Sequence, residues 1–350
     1  MDIAIVGAGA AGAAAAYTLR EESVTVFEKS RGVCGRAATR RRGDCTYDYG
    51  ANYVKSKDPK VNDLLTETVD TDGLVDIEEP VWTFDSSGAI DEGRDGEDHK
   101  WTYTEGITQI AKRLFSLAET EVQRETRIER IVRDEGADED AGRWRLYDTD
   151  DTDLGAFDTL LLTPPAPQTT QLLRDTEWAD DRRETLAEAV AAVPYRSIIT
   201  GVLHYEFERD EPWYALVNTD RNHDVGWVAR EELKDGHVPD GESLLVAQMA
   251  PDWSTARYED DEEETMEELT EAVAELLGED RLRDPDWTDY MGWRYALPDE
   301  GVDKATIESA EDAGLFFAGD WVAGEGRVHL ALRNGLDVGE RIRADHRSNS

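Results

Sequence analysis

The chain has 350 residues, of which 79 are acidic and 38 basic, so its formal net charge is −41. Hydrophobic residues make up 39% of the sequence, enough to predict a folded protein with a sizeable core. An acidic excess spread along the chain would repel nucleic acid, and the sequence has no run of 18 apolar residues that could span a membrane.

The first 28 residues predict a strand, a glycine-rich turn, a helix and a second strand. DIAIV (2–6) and SVTVF (23–27) are the strands, and an alanine-rich helix between them reaches about Arg20. The turn, GAGAAG, matches the GxGxxG fingerprint of dinucleotide-binding sites. This strand–turn–helix context makes the motif more specific than its glycines alone.

Each residue of this motif has a distinct expected role. Gly7 permits the tight turn, Gly9 lets the backbone approach a pyrophosphate, and Gly12 packs the helix against the strand. Ala10 and Ala11 open the helix, where free N–H groups and the helix dipole favour an anion. The motif therefore predicts a site for the diphosphate of a dinucleotide.

Glu28 stands at the end of the second strand, 21 residues beyond Gly7. An acid at this distance accepts hydrogen bonds from ribose hydroxyls, which NAD and FAD both carry. The N-terminal part of the chain thus predicts an adenine dinucleotide but leaves both cofactors open.

The C-terminal part favours FAD. FFAGD (316–320) is an apolar strand that ends in an acid, and a carboxylate there can hold a ribityl hydroxyl. GEGRVHLAL (324–332) opens a second helix, whose N-terminus can stabilise negative charge on a reduced flavin. One long cofactor that contacts both ends of the chain explains both motifs. The candidate contacts in this part are Gly319, Asp320, Arg327 and Val328.

Between these motifs the chain alternates helices and strands. Apolar residues at helical spacing predict helices over 61–69, 106–118 and 258–278, and the many acids of the last form a solvated face. A hairpin around Ser86–Gly88 is predicted within residues 77–93. Further strands are predicted within 126–135, 143–150 and 157–165. The sequence shows no repeat or low-complexity linker, so two interleaved domains are expected.

One stretch, which we call the basic island (residues 29–42), departs from the acidic background. It contains six basic residues and no acid. An anionic cofactor that enters a strongly negative protein needs a local cationic lining, so we expect the basic island to lie along the cofactor. Arg41 and Arg42, at its end, are expected to face solvent, as charge runs usually do.

Several of these motifs together resemble the renalase-like branch of the FAD-dependent amine oxidase superfamily. The resemblance rests on GAGAAG, FEKSRGVCGRAATRR, DYGANY, LLLTPP, WRYALP and FFAGDWVAGEGRV. It implies an α/β fold, in which an FAD/NAD(P)-binding Rossmann-like domain of the glutathione-reductase type is interleaved with an α+β substrate domain. The implied cofactor domain comprises residues 1–75, 105–165 and 286–350, and the substrate domain comprises 76–104 and 166–285.

The resemblance also implies cofactor contacts in and beyond the basic island. Arg36 would reach phosphate or ribityl oxygens, and the backbone of Ile128 would meet the adenine. Ala51 and Asn52, in DYGANY, would lie beside the flavin. The full set of these candidates is Lys29, Gly35, Arg36, Ala51, Asn52 and Ile128.

No side chain is assigned as the catalyst, because in such proteins the flavin itself carries the chemistry. Trp293, Arg294 and Tyr295 would line the route between flavin and substrate domain, although packing explains such aromatics equally well. His329 is a candidate base, but hydride removal by a flavin needs no strong base. Four further tryptophans would either form an aromatic pocket for a planar ring or belong to the core: Trp178, Trp213, Trp227 and Trp253.

Two departures from the family pattern concern the site. The family usually has a glycine pair where this chain has Cys34 and Gly35, so a side chain there is expected to crowd the cofactor or force a shift. The family often has His-Arg before WRYA, where this chain has Met291 and Gly292. The second difference leaves the substrate-side contacts, and with them the substrate, open.

The leading interpretation is an FAD-dependent oxidoreductase that takes hydride from a small soluble reduced donor and passes the electrons to oxygen. Dihydro isomers of NAD(P)H are the donors that the resemblance implies. The enzymatic alternative is an amine oxidase, or a desaturase of polyprenoid or porphyrin-like substrates. A long apolar tunnel in residues 166–285 would indicate this alternative. An alternative of another class is a non-catalytic FAD-binding redox sensor or subunit.

The remaining expectations concern compartment and partners. The N-terminus shows no basic n-region or cleavage site, so we expect a cytoplasmic protein. The acidic, lysine-poor composition is typical of salt-loving microbes. Cys34 and Cys45 are expected to be reduced thiols, and six scattered histidines predict no metal site. We expect a small-molecule substrate, no nucleic acid and no membrane, and the oligomeric state is not indicated.

Overall fold

Twenty strands and ten helices lie within residues 1–93, 98–133 and 142–349, the residues that the computed structural model describes. The strands are β1 Asp2–Val6, β2 Ser23–Glu28, β3 Thr39–Arg42, β4 Cys45–Asp48, β5 Val54–Lys55, β6 Leu74–Asp76, β7 Val81–Phe84, β8 Ile90–Asp91, β9 Lys100–Tyr103, β10 Glu121–Arg124, β11 Ile128–Arg133, β12 Trp144–Asp148, β13 Asp153–Phe157, β14 Thr159–Leu162, β15 Tyr195–Tyr205, β16 Ala215–Asn218, β17 Val225–Arg230, β18 Ser243–Met249, β19 Trp287–Pro298 and β20 Leu315–Phe317. The helices are α1 Ala10–Thr18, α2 Pro59–Asp63, α3 Gln109–Ala118, α4 Ala166–Asp175, α5 Arg182–Ala191, α6 Pro251–Arg257, α7 Glu262–Leu277, α8 Lys304–Glu308, α9 Asp320–Ala323 and α10 Val328–Asn349.

A five-stranded parallel sheet in the order β10-β2-β1-β14-β20 forms the centre of the cofactor-binding half. In β1, Ile5 lies opposite Val26 on one side and Leu161 on the other. These three side chains are fully buried, as expected of a parallel sheet that is covered on both faces. The predicted β–α–β unit at the N-terminus is confirmed.

Two layers cover this sheet. The helices α1, α3 and α10 bury their apolar residues against one face, together with Ile3 and Ile5. The other face packs against the antiparallel sheet β11-β12-β13 and against α4 and α5. The fold is therefore a Rossmann-like three-layer arrangement, whose strands end at a common edge.

The helix α10 approaches α1 closely because small residues meet at the contact. A Cβ atom on Gly335 would lie 2.2 Å from the carbonyl oxygen of Ala11. Gly339 lies against Thr18 in the same way, with a hypothetical Cβ distance of 2.7 Å to the Cβ of Thr18. The last helix thereby fixes the position of the helix that follows the glycine motif.

The second half is built on a seven-stranded sheet in the order β19-β15-β18-β17-β16-β7-β8. Neighbouring strands of this sheet are antiparallel, except for β16 and β7, which are parallel. The helix α7 packs a buried stripe of Met266, Leu269 and Val273 on this sheet. Gly201 permits the contact, because a Cβ there would lie 2.6 Å from Leu269 Cδ2. The acids of α7 face outward, as predicted.

Several elements differ from the boundaries that the sequence predicts. The strand β19, within the predicted cofactor segment 286–350, pairs along its length with β15 of the seven-stranded sheet. The helices α4 and α5, within the predicted substrate segment 166–285, pack on the five-stranded sheet instead. The strand predicted within 126–135 is β11, and residues 134 and 135 lie outside the described residues.

The predicted hairpin within 77–93 is formed by β7 and β8, and the helix predicted over 61–69 is α2 with a wider turn at Leu64–Thr68. Two small antiparallel sheets, β3-β4 and β5-β9-β6, join the two halves. None of the helices in the described part of the chain combines the length and apolarity that a membrane crossing requires.

Candidate cofactor and substrate site

The glycine motif forms an open cradle between β1 and α1. Gly7 turns the chain with a φ of +102°, a conformation that favours glycine. A Cβ atom on Gly12 would lie 2.1 Å from the carbonyl oxygen of Gly7, so the helix can approach the turn only with glycine there. A Cβ on Gly9 would meet no atom within 4 Å, because Gly9 borders an open cavity. The backbone at the start of α1 is therefore free to receive an anionic group.

Glu28 closes one side of this cradle. Its Oε2 atom accepts a hydrogen bond from the N–H of Ala8 at 2.8 Å, and its Oε1 atom accepts one from the N–H of Ser30 at 2.8 Å. The carboxylate is thus held at the cavity wall with lone pairs left for ribose hydroxyls. Thr126 donates its N–H to the carbonyl oxygen of Glu28 at 2.9 Å, which brings Ile128 to the same end of the cavity.

The two residues that replace a glycine pair lie directly on the glycine turn. Cys34 donates its N–H to the carbonyl oxygen of Ala8 at 2.8 Å, and Gly35 packs against Gly9. Cys34 adopts a φ of +78°, and its side chain is 1% exposed within the apolar core. The backbone at Cys34 therefore takes a glycine-like conformation and its side chain is buried, while the effect of this residue on the cofactor stays a prediction.

Arg36 joins the basic island to the C-terminal motif. Its Nη2 atom lies 2.8 Å from Oδ1 of Asp320, and its Nη1 atom donates to the carbonyl oxygen of Ala296 at 2.9 Å. Burial alone would lower the pKa of Arg36, but the attraction of Asp320 and of Tyr195 outweighs it and raises the pKa. The pair lines the cavity between the two motifs that the sequence assigns to FAD.

The other arginines of the basic island serve the protein itself. Arg40 places Nη1 2.8 Å from Asp289 Oδ2 and lies over the Tyr49 ring at 4.3 Å. Arg41 and Arg42 are exposed, as predicted, and donate to the backbone carbonyl oxygens of Glu105 and of Thr288 in β19. Lys29, at the start of the island, lies 3.1 Å from Oε1 of Gln168, and burial lowers its pKa.

The DYGANY segment follows β4 and borders the cavity with Ala51 and Asn52. Ala51 donates its N–H to the carbonyl oxygen of Arg36 at 3.0 Å. Asn52 donates from Nδ2 to the carbonyl oxygen of Asp48 at 2.8 Å. A Cβ on Gly50 would lie 2.0 Å from the carbonyl oxygen of Arg36, so the loop and the basic island are in direct backbone contact.

A completely buried ionic network supports this loop, and sequence reasoning missed it. Asp48 Oδ2 lies 3.0 Å from Lys234 Nζ, and Lys234 Nζ lies 2.7 Å from Glu231 Oε1. Both ring nitrogens of His237 lie 2.9 Å from acceptors, Glu231 Oε2 and the Tyr103 carbonyl oxygen. With a proton on each nitrogen, His237 and Lys234 balance the two carboxylates. The available signal was a lysine in REELKDGH, in a chain with few lysines.

Charge pairing sets the direction of the pKa shifts of Asp48 and Lys234. Burial alone would raise the pKa of Asp48, but Lys234 and His237 outweigh it and lower the pKa. Burial would lower the pKa of Lys234, yet Asp48 and Glu231 raise it. The same oxygens and nitrogens of Asp48, Glu231 and His237 lie close enough to suggest a metal cluster, but Lys234 already occupies the position of a cation.

The C-terminal motif brings Gly319 and the start of α10 to the cavity. Gly319 donates its N–H to Oδ1 of Asn334 at 2.9 Å, which fixes the turn after β20. Arg327, Val328 and His329 border the cavity at the first turn of α10. Burial, and then the charge of Arg327, lower the pKa of His329. A neutral imidazole is therefore favoured at this position near pH 7.

The strand β19 carries the substrate-side candidates. Trp293 stacks on Tyr49 with ring centroids 5.3 Å apart, and its Nε1–H donates to the Tyr49 carbonyl oxygen at 3.3 Å. Tyr295 meets Tyr195 edge-on at 6.0 Å. Arg294 is exposed and paired with a surface glutamate. The two aromatic rings are thus wall residues, whereas Arg294 points to the rim.

The four other tryptophans divide into two pairs. Trp227 and Trp253 line the cavity, and Trp227 also lies against the ring of Tyr53 at 6.3 Å. Trp178 and Trp213 are buried in the two cores and do not reach the cavity. The core interpretation is therefore confirmed for Trp178 and Trp213, whereas an aromatic pocket stays a prediction for Trp227 and Trp253, of which Trp253 also packs in the core of the second half.

One continuous cavity of about 1960 Å³ connects these features. It is about twice the upper end of the range for single small-molecule sites, roughly 1,000 Å³. The described residues that line it include nine basic and eight acidic ones, far from the two-to-one acidic excess of the chain. The candidates that line it are Gly7, Gly9, Ala10, Ala11, Glu28, Lys29, Gly35, Arg36, Ala51, Asn52, Ile128, Trp293, Arg294, Tyr295, Gly319, Asp320, Arg327, Val328 and His329, and Gly12 supports it from behind.

This geometry defines a class of protein. A Rossmann-like cradle for a diphosphate opens into a long cavity that passes an arginine–aspartate pair and ends between two sheets. The open Gly9, the fixed carboxylate of Glu28 and the second helix start at Val328 fit FAD, which is long enough to contact all three. The class is the flavin-dependent oxidoreductases.

The chain belongs to the flavin containing amine oxidoreductase family, whose model matches residues 76–343. An NAD(P)-binding Rossmann-like domain model matches residues 5–68. The protein is therefore an enzyme with FAD as its cofactor.

Solved structures share the whole fold. A putative protoporphyrinogen oxidase from Exiguobacterium sp. 255-15 aligns with a TM-score of 0.76 at 16% identity, over 98% of this chain and 99% of that one. Wild-type putrescine oxidase bound to putrescine aligns with a TM-score of 0.71 at 15% identity, over 98% and 99%. Cyclohexylamine oxidase from Brevibacterium oxydans IH-35A aligns with a TM-score of 0.72 at 15% identity, over 99% of both chains. These identities support the fold and not a particular substrate.

Proposed function

We propose that this protein is a renalase-like oxidase that removes hydride from a small soluble dihydropyridine, such as a dihydro isomer of NAD(P)H. The observation that carries the proposal is the aromatic wall beyond the flavin position. Trp293, Trp227 and Tyr53 line the same cavity, so aromatic side chains are available to contact a planar ring, and Tyr49 supports Trp293 by stacking on it from outside the cavity lining. The nine basic and eight acidic residues that line the cavity weigh against a long lipid or porphyrin-like substrate.

The cofactor contacts proposed from the sequence are those that border the cavity. We propose that the cradle residues and Glu28 hold the adenine nucleotide, with the Ile128 backbone at the adenine. Arg36 and Asp320 would hold the phosphate and ribityl part, with Lys29, Gly35 and Gly319 beside them. Ala51, Asn52, Arg327 and Val328 would surround the flavin ring. Their common position along one cavity supports this assignment.

Bound FAD would take a hydride from the donor and return two electrons to O₂, which leaves with two protons as hydrogen peroxide. The protein's own residues position the reactants. Trp293, which is held in place by stacking on Tyr49, would contact a planar donor and exclude water on that side. His329, whose pKa is lowered, adds no fixed positive charge near the ring and serves as a wall.

The cavity also has a feature that favours a second candidate, an amine oxidase. Asp224 and Asp252 line the cavity together with Trp227 and Trp253. Carboxylates beside aromatic faces suit an alkylammonium group. The two candidates differ in the donor and share the cofactor, so one experiment separates them.

The test is anaerobic mixing of the FAD-loaded protein with dihydro isomers of NAD(P)H, with ordinary NADH and with a panel of primary amines. Flavin absorbance reports reduction, and peroxide is measured after air is admitted. Rapid bleaching by a dihydropyridine isomer, followed by peroxide, is expected. Bleaching by amines alone would replace the proposal with the amine oxidase, and a flavin that no donor bleaches would favour a redox sensor or subunit.

The same protein preparation tests how the cofactor is held. We propose non-covalent FAD, because the chain has only two cysteines, both are buried, and neither lies near the C-terminal flavin motif in the sequence. Acid precipitation should release the flavin into the supernatant. Flavin that stays with the pellet would contradict this part of the proposal.

We further propose a cytoplasmic protein adapted to high salt, with the two interleaved domains that the sequence predicts. The net charge of −41 and the outward-facing acids of α7 support the salt adaptation.

A further inference from the structure

Two of the chain's eight lysines line one part of the cavity, and a third lies close to them in the chain. Lys55 and Lys100 line the cavity from β5 and β9, and Lys57 follows Lys55 by two residues. We call Lys55, Lys57 and Lys100 the lysine rim. Lysine is scarce in this sequence, so a cluster of three is a local departure from its composition.

The arrangement of the lysine rim does not stabilise the fold. In the β5–β9 register, Lys55 lies directly opposite Lys100. Like charges in directly opposed positions destabilise a sheet. Among the described residues, neither of these two ammonium groups has an ion-pair or hydrogen-bond partner, and Lys57 Nζ lies 3.9 Å from Asp98 Oδ2. The fold therefore tolerates a repulsion that an anion between the two lysines would relieve.

The electrostatic surroundings of Lys55 are cationic. Burial and then Lys57 lower its pKa, and Arg327 and Lys100 lower it further, whereas Asp98 alone raises it. Three cations against one acid is the reverse of the balance in the whole chain. Glu78 is the other acid that borders the cavity from this segment of the chain.

The lysine rim is placed within reach of a substrate at the flavin. Lys55 follows Asn52 by three residues, which span roughly 10 Å of extended chain. A ribose phosphate attached to a planar ring covers a distance of this order. The cavity is large enough for a second molecule beside FAD, since its volume is about 1960 Å³.

We propose that Lys55 and Lys100 form a phosphate subsite of the substrate. Two adjacent ammonium groups match a group that carries up to two negative charges and three acceptor oxygens. This inference rests on the proposed function: the donor would be a dihydropyridine ribotide whose ring stacks near Trp293 while its phosphate lies between the two lysines. A mononucleotide and a dinucleotide share this chemistry, so both enter the test.

The first arm measures binding without chemistry. Inorganic pyrophosphate is titrated calorimetrically into the FAD-loaded protein at the lowest salt that keeps it folded. The variants are the double substitution Lys55→Gln/Lys100→Gln and the matched control Lys304→Gln, an exposed lysine at the start of α8 outside the cavity. Retained flavin absorbance shows that each variant is folded.

We expect saturable binding of pyrophosphate to the FAD-loaded protein and to Lys304→Gln. Loss of a charge-assisted contact weakens binding roughly tenfold or more for each lysine, so the double variant should bind at least about a hundredfold more weakly. Absence of saturable binding, or equal binding by the double variant, would overturn the phosphate subsite.

The second arm separates this inference from the proposed function. Reduction rates are compared for dihydronicotinamide riboside, its 5′-mononucleotide and the dinucleotide, each as the isomer that bleaches the flavin. If the riboside reacts as fast as both phosphorylated donors at low concentration, the phosphate subsite is contradicted, and the proposed oxidation of a dihydropyridine remains supported. If pyrophosphate binds through the lysines but no dihydropyridine bleaches the flavin, the proposed dihydropyridine oxidase activity is contradicted, and the anion subsite remains supported.

Discussion

The Nζ atom of Lys234 lies 3.0 Å from Oδ2 of Asp48, and both side chains are completely buried. Asp48 ends β4, immediately before the loop that is proposed to border the flavin. Lys234 lies between β17 and β18 of the seven-stranded sheet. This ion pair therefore connects the proposed flavin loop to the proposed substrate half through the interior of the protein.

Replacing Lys234 with methionine should destabilise the fold by about 3–5 kcal/mol, because Asp48 and Glu231 would then be buried with only His237 beside them to balance two negative charges. The free energy of unfolding is measured by denaturant titration with flavin absorbance as a second signal. The matched control, Lys304→Met, removes an exposed lysine and should change stability by less than about 0.5 kcal/mol. Similar stabilities of the two variants would show that the network is not a structural ion cluster.

Arg36→Ala should weaken FAD retention at least tenfold, whereas Arg42→Ala should have little effect. A guanidinium that bonds phosphate or ribityl oxygens contributes about 1.5–3 kcal/mol per bond, but an exposed one contributes about 0–1 kcal/mol. Equilibrium dialysis of FAD measures the difference. Arg36→Lys keeps the charge and should retain part of the affinity, and equal losses in the Arg36→Ala and Arg42→Ala variants would refute the assignment of Arg36.

Both cysteines should be unreactive in the folded protein. Burial raises the pKa of Cys34 to about 12 and that of Cys45 to about 11, so neither forms thiolate near pH 7. A thiol-specific reagent such as dithiobis-nitrobenzoate should label no thiol in the native state. After denaturation it should label two thiols per chain, which serves as the internal control. Rapid labelling of one thiol in the native protein would mean that its surroundings are open.

The melting temperature should rise steeply between low and molar KCl. The chain carries a net charge of −41, and the first turn of α7 alone presents three adjacent glutamates, Glu262–Glu264. The Debye length falls from about 10 Å at 0.1 M salt to about 3 Å at 1 M, which screens this repulsion. Sucrose, which stabilises without screening charge, is the control. A flat response to KCl would show that the acids are already paired in the fold.

The nucleotide cradle was predictable because its geometry is encoded locally. The spacing of Gly7, Gly9 and Gly12 prescribes a turn and a close helix approach, and the structure has both. The apolar strand before the motif and the acid at Glu28 belong to the same short segment. Residues that are close in this part of the sequence are also close in space, so the local sequence pattern predicts the local structure correctly.

The substrate side was less predictable because its contacts join distant segments. Lys234 and Asp48 are 186 residues apart, and no local pattern relates them. The inward turn of Cys34 depends on a φ of +78°, which the residue type alone does not favour. Trp178 and Trp227 look alike in the sequence, yet one belongs to the core and the other to the cavity.

The contact between α10 and α1 has a consequence for biosynthesis. The first strand needs β14 as its neighbour, β14 needs β20, and the turn after β20 leads into the helix that packs on Ala11 through Gly335. A chain emerging from the ribosome therefore makes the segment of the glycine cradle first but can complete the surrounding site only after β20 and α10 have been synthesised. Flavin loading is then expected to follow the synthesis of this segment, and until then the central sheet lacks β20.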